Sequence, residues 1–290
     1  MTPHDALILE RFILSSATSF IWGGLGFTLV SSDPVRAQLQ CWMRRPIFIL
    51  SAVAATAAIA AIPIQTAELG SGWASSVETD TVLAVLQTDL GISICVEAAT
   101  VLSLLFAAAK NRAVTCVALA GLALTEIATR GHSASSFDSL GLARMAMMAI
   151  HALSAAAWVG ALIPFIMLLK LSVTGSLRAE TIAAMMRFSR IGHVAVALVV
   201  VTGVGNVALI LGRLPWNVSS PYGAGLLFKT AAVAVMTGIA LANRYLIVPH
   251  ANRHPGTAGR LLMVGTALEA CLGLLAFALV ASFGLDDPTA

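Results

Sequence analysis

Eight apolar stretches follow one another along the chain with only short polar intervals, each close to the roughly 20 residues that carry a helix across about 30 Å of hydrocarbon. They run 7–30, 46–66, 81–108, 113–129, 142–169, 183–211, 222–249 and 259–284, and take up nearly all of the 290 residues. Hydrocarbon offers no water to backbone N–H and C=O groups, so apolar runs of this length read as helices that satisfy their own hydrogen bonds. With 58% of residues hydrophobic and 11% charged, against about a quarter charged in soluble domains, the chain lacks the polar surface that water would demand. The expectation is an all-α polytopic membrane protein. It is one transmembrane domain over residues 1–290, with eight helices and no soluble domain.

Basic residues in short loops set the orientation. Arg36, Arg44 and Arg45 lie in the first loop, Lys110 and Arg112 in the third, Lys170 and Arg178 in the fifth, and Arg253 and Arg260 in the seventh. The loop at 67–80 carries Glu68, Glu78 and Asp80 with no basic residue, and the C-terminal tail carries Asp286 and Asp287. Odd loops therefore face the cytoplasm, and both termini face outward, into the periplasm of a bacterium.

Several functions are excluded. A formal charge of +3, dispersed among loops, speaks against nucleic acid binding. Cys41, Cys95, Cys116 and Cys271 are single, with no CxxC pair, so neither a disulfide framework nor a zinc module is supported. Asp5 and Glu10 precede Arg11, unlike a cleavable signal peptide. There is no GxxxxGK[ST] phosphate loop and no catalytic dyad or triad of credible spacing, so the chain does not read as an enzyme.

Ionisable side chains inside spans cost a few kcal/mol on insertion scales and are functional candidates by default. Here they are Glu97, Glu126, Arg144, His151, His193, Lys229 and Glu269, with His132 just outside the fourth span. Counting 1.5 Å per residue, His132, His151 and then His193 with Cys95 or Glu97 form a ladder from the outer face inward. The fifth span is the most telling. Met145, Met148 and His151 recur every three residues, and Met147 precedes His151 by four, so thioethers and an imidazole crowd one face. That soft and borderline donor mixture suits copper, Cu(I) above all. Trp158 follows two turns below His151. Blander readings stand beside these: Met as apolar filler, His193 as a hydrogen-bonded packing residue, and solvated His250 and His254. Lys229 and Glu269 read as a buried ion pair, and Glu126 as a partner of Arg130 four residues on. Glu97 has no obvious local partner.

These residues carry a resemblance. From about 131 to 284 the sequence resembles the copper resistance protein D (CopD) family of bacterial inner-membrane proteins. The similarity rests on Gly131-His132-Ser133, on His151 with Trp158-Val159-Gly160, and on Arg187-Phe188-Ser189-Arg190. Thr202-Gly203, Tyr222-Gly223, Leu226-Leu227, Lys229, Asn243-Arg244 and Glu269 complete it. Ser133 departs from the expected alanine, and the first 130 residues match only in general character. The resemblance implies eight spans, copper as the handled ion, and transport from periplasm to cytoplasm. It also implies, often, a small periplasmic copper-binding partner of the CopC type. His132, His151 and Trp158 look like the family's motif residues. Two rivals remain: a haem b electron carrier using His151 and His193 as axial ligands, and a non-transporting membrane partner of a periplasmic copper-binding protein.

Overall fold

The computed structural model describes residues 1–128, 139–174, 177–211, 220–250 and 255–286. The described residues form nine α-helices: α1 Pro3–Leu29, α2 Asp33–Leu69, α3 Thr79–Leu86, α4 Asp89–Ala109, α5 Ala113–Ala128, α6 Ser139–Thr174, α7 Arg178–Leu211, α8 Pro221–His250 and α9 Pro255–Phe283. Among the described residues there is no strand. Seven helices are long and apolar enough to cross a membrane; α5, apolar over Ala113–Ile127, is shorter.

The helices start where the sequence supplies caps. Thr2 and Asp5 form a reciprocal capping box ahead of Pro3. Thr88 accepts from the Gly91 amide at the start of α4, and Ser220 accepts from Gly223 ahead of Pro221 at the start of α8. Buried hydroxyls turn back onto their own helices: Thr18 donates to Leu14, Ser51 to Ile47 and Thr266 to Leu262, which satisfies them without water.

Two expected boundaries differ. The stretch read as one span over 81–108 is broken between α3 and α4, because the Thr88 cap restarts the helix (φ −82°, ψ 157°). The polar segments read as loops at 31–45 and 170–182 are largely helical: α2 begins at Asp33 and so includes Arg36, Arg44 and Arg45, while α6 continues to Thr174 and α7 begins at Arg178. Hydropathy marks the depth of hydrocarbon, whereas the backbone ladder continues wherever no breaker intervenes.

α1 and α6 form the centre. Their most apolar windows are 61% buried, against 11% for α8 at the periphery. They meet through glycine, with a Cβ on Gly160 falling 2.9 Å from the Gly23 Cα and 3.0 Å from the Gly24 amide, so only small residues permit this approach. Around that axis α2, α4 and α5 pack on one side, and α7, α8 and α9 on the other. Two helices carry a π turn, α1 at Ile21–Leu25 and α8 at Asn243–Ile247.

Candidate functional site

α6 and α7 form one of the most extensive pairings in the fold, and two soft donors meet the glycines of α7 there. His151 Nδ1 lies 3.0 Å from Thr202 Oγ1. Gly203 makes room for the ring, since a Cβ there would stand 3.3 Å from His151 Cε1. One turn earlier on α6, the Met147 sulfur occupies the space a Cβ on Gly205 would fill. Thr202 and Asn206, four residues apart and both buried, give α7 a polar stripe on this side.

Thr202 also fixes the tautomer of His151. A hydroxyl has one hydrogen, and Thr202 donates its own to the Leu198 carbonyl. Towards His151 the oxygen therefore accepts, so Nδ1 carries the proton of the neutral ring and Nε2 keeps its lone pair. The ring also meets the Val199 backbone, and Thr202 is the side chain that anchors Nδ1. A ring anchored at Nδ1 with Nε2 left as donor is the arrangement found in metal-binding histidines.

His193 is arranged differently. Its Nδ1 contacts the Ser189 carbonyl at 2.6 Å and must donate, while Nε2 accepts from the Tyr245 hydroxyl at 3.1 Å. Both nitrogens are engaged, and the side chain is exposed. His193 also precedes Thr202 by nine residues on α7, which separates them by about 13 Å along the axis and half a turn around it. The structure thus does not bring His151 and His193 together, either as rungs of one ladder or as axial ligands of one haem.

A second polar cluster lies further along α6. Trp158 is buried against Ala195, Met236 and Ala270, and its side chain interacts with the Glu269 carboxylate. Asn243 Nδ2 donates to Glu269 Oε1 at 2.8 Å, with Gly265 leaving space for the Asn243 amide. The expected Lys229–Glu269 ion pair is not formed. In the α8–α9 register Gly225 faces Phe283 and Asn243 faces Gly265, which sets Lys229 level with Leu279, ten residues or about 15 Å from Glu269. Lys229 instead lies within electrostatic reach of His151. The sequence reading counted the two depths from opposite faces across about 30 Å of hydrocarbon, whereas the spans run 30 and 28 residues and so separate the two groups further.

Of the other candidates, Met145 and Met148 are half-buried on the first turns of α6, Glu97 is fully buried on α4, and Glu126 accepts from Thr100 at 3.0 Å. His132, His254 and Arg130 lie outside the described residues. Among the described residues no group of three or more His, Cys, Asp or Glu could hold a metal. Sequence reasoning missed Asn206, Gly205 and the partnership of Asn243 with Glu269; a polar residue four places after Thr202 in an otherwise apolar helix was the available signal for the first.

The fold defines a polytopic all-α membrane protein with polar and soft side chains gathered between its helices. Residues 182–283 match the family model described as copper resistance protein D, and residues 1–142 match the copper resistance protein D-like N-terminal domain. The inner membrane protein YebZ of Escherichia coli (strain K12) is 31% identical over 241 residues, 82% of this chain and 81% of that protein. Copper resistance protein D of Pseudomonas syringae pv. tomato is 31% identical over 218 residues, 70% of each chain. The chain belongs to the copper resistance protein D family. No solved structure matches. The N-terminal half, which offered no motif, thus has a family model of its own, whereas most of α6, with His151 and Trp158, falls between the two matched ranges.

Proposed function

We propose that this multi-pass inner-membrane protein is a copper permease that passes Cu(I) from periplasm to cytoplasm along the α6–α7 contact. In this reading the chain crosses eight times, α5 included, as a single transmembrane unit with both termini outside. The observation that carries the proposal is the His151 imidazole, held at Nδ1 by Thr202 one turn from the Met147 sulfur, a tautomer that leaves the Nε2 lone pair as the metal-binding atom. An imidazole and a thioether are neutral, soft-to-borderline donors that suit Cu(I). Two such ligands bind weakly enough to release the ion, as conduction requires. The family's name, copper resistance, supports copper as the substrate.

The remaining steps follow from the same chemistry. His132 with Met145 and Met148 would receive the ion at the outer mouth, and a CopC-type periplasmic protein would be a suitable donor. An inside-negative potential draws a monovalent cation inward by about 2.3 kcal/mol per 100 mV, so no nucleotide is needed. Trp158, Asn243 and Glu269 hold the inner halves of α6, α8 and α9 together behind the site.

The test is uptake of Ag(I), a redox-inert surrogate for Cu(I), by purified protein in vesicles under an inside-negative potential. The unsubstituted protein is expected to accumulate silver and His151→Ala to lose most of the flux. Equal flux in the two removes His151 from the path, and no flux in either favours a non-transporting partner of a copper-binding protein.

A further inference from the structure

We infer that Lys229 is a charge filter that admits monovalent and rejects divalent cations at the His151 site; this rests on the permease reading above. The cation sits on α8, whose Met236 belongs to the same buried cluster as Trp158 of α6. Lys229 precedes Met236 by seven residues and His151 precedes Trp158 by seven. Seven residues are two turns of a helix. As alternate spans of one bundle α6 and α8 run in the same direction, so Lys229 and His151 lie at similar levels. The electrostatic influence of Lys229 on the His151 ring agrees with that placement.

Among the described residues Lys229 makes no ion pair and no hydrogen bond. The carboxylate on the neighbouring helix, Glu269, is engaged by Asn243 and lies about 15 Å away in the register of the two helices. An ammonium with no counter-ion among the described residues acts on whatever cation reaches His151. Repulsion scales with the charge of the visitor, so a dication meets twice the opposition of a monocation. Ligand softness alone does not give this discrimination, because imidazole accepts zinc as well as copper. Lys229 supplies the missing term: Cu(I) is opposed once and accepted by sulfur, while Zn(II) is opposed twice.

Purified full-length protein in vesicles is supplied with Ag(I) or Zn(II), and the ratio of their fluxes is read. Lys229→Met removes the charge at similar length, Lys229→Gln is a second neutral variant, and Lys229→Arg keeps the charge. The expected result is a Zn(II)-to-Ag(I) ratio raised about tenfold in both neutral variants, the size of effect that one added charge produces at the separations and effective dielectric of a buried site. In Lys229→Arg the ratio is expected to stay at the unsubstituted value. An unchanged ratio in the neutral variants overturns the assignment even if both fluxes fall together. If the unsubstituted protein carries no silver at all, the permease reading fails first.

Discussion

The Trp22 indole donates to the backbone carbonyl of Leu153 at 3.0 Å, tying the π turn of α1 to α6 two residues from His151. The ring is seated on Gly121 of α5, where a Cβ would stand 2.7 Å from Cζ3. Trp22→Phe removes the hydrogen bond and shortens the ring, for a loss of about 1 kcal/mol or more. Gly121→Ala should destabilise the unsubstituted protein but be nearly neutral in the Trp22→Phe background, where the ring no longer reaches it. Thermal melts of the four proteins in one detergent check both statements; additive losses would contradict the second.

Gly203 and Gly205 of α7 make unequal demands. At Gly203 an added methyl meets only the edge of the His151 ring at 3.3 Å, but at Gly205 it takes the place of the Met147 sulfur. Gly205→Ala should therefore lower silver flux about tenfold, in line with overpacking costs, while Gly203→Ala leaves most of it. Flux measured in vesicles at matched protein density distinguishes the two.

Thr202 acts on His151 through one oxygen. Thr202→Val keeps the shape and removes the acceptor for Nδ1, freeing the ring to turn or change tautomer. A loss of about fivefold in silver flux is expected, equivalent to one hydrogen bond. Thr202→Ser, which retains the hydroxyl, should restore flux. Failure of serine to rescue would mean that the methyl, and not the oxygen, matters.

Removing the donor to a buried carboxylate is costly. Asn243→Ala leaves Glu269 Oε1 without its partner at 2.8 Å, for about 1–3 kcal/mol of destabilisation. Glu269→Gln retains an acceptor oxygen and removes the charge, and should be close to neutral. Detergent melts of the two variants report the difference directly.

His193 gives the control. Its nitrogens are spent on Ser189 and Tyr245 at an exposed position, so His193→Ala should change silver flux by less than about twofold, as for a surface substitution. A loss as large as that of His151→Ala would place His193 on the path after all.

Most of the architecture was legible because hydrocarbon punishes polarity so strongly that apolar run lengths alone locate the helices. What hydropathy does not report is where a helix ends in water, and so α2 and the α6–α7 junction overran their predicted limits. The pairing of Lys229 with Glu269 failed for a related reason: one depth was counted from each face across about 30 Å, and spans of 30 and 28 residues are longer than that, which brought together groups about 15 Å apart. Direction around a helix was legible for Met147 and His151, which lie four apart and both turn towards α7. The distinction between His151 and His193 was not. It depends on which hydrogen-bond partners each ring meets, Thr202 for one and Ser189 with Tyr245 for the other, and those come from different helices.

The π turn of α1 fixes more than a local bend. It holds one residue beyond an ordinary turn, so Ile21–Leu25 already absorbs an extra position while the helix on either side keeps its direction. Gly23 and Gly24 face Gly160 while Trp22 reaches Leu153 from within that turn. A further residue inserted there would rotate everything on one side by about 100° and should abolish assembly of the bundle, where a single insertion in the segment between α2 and α3 should be tolerated.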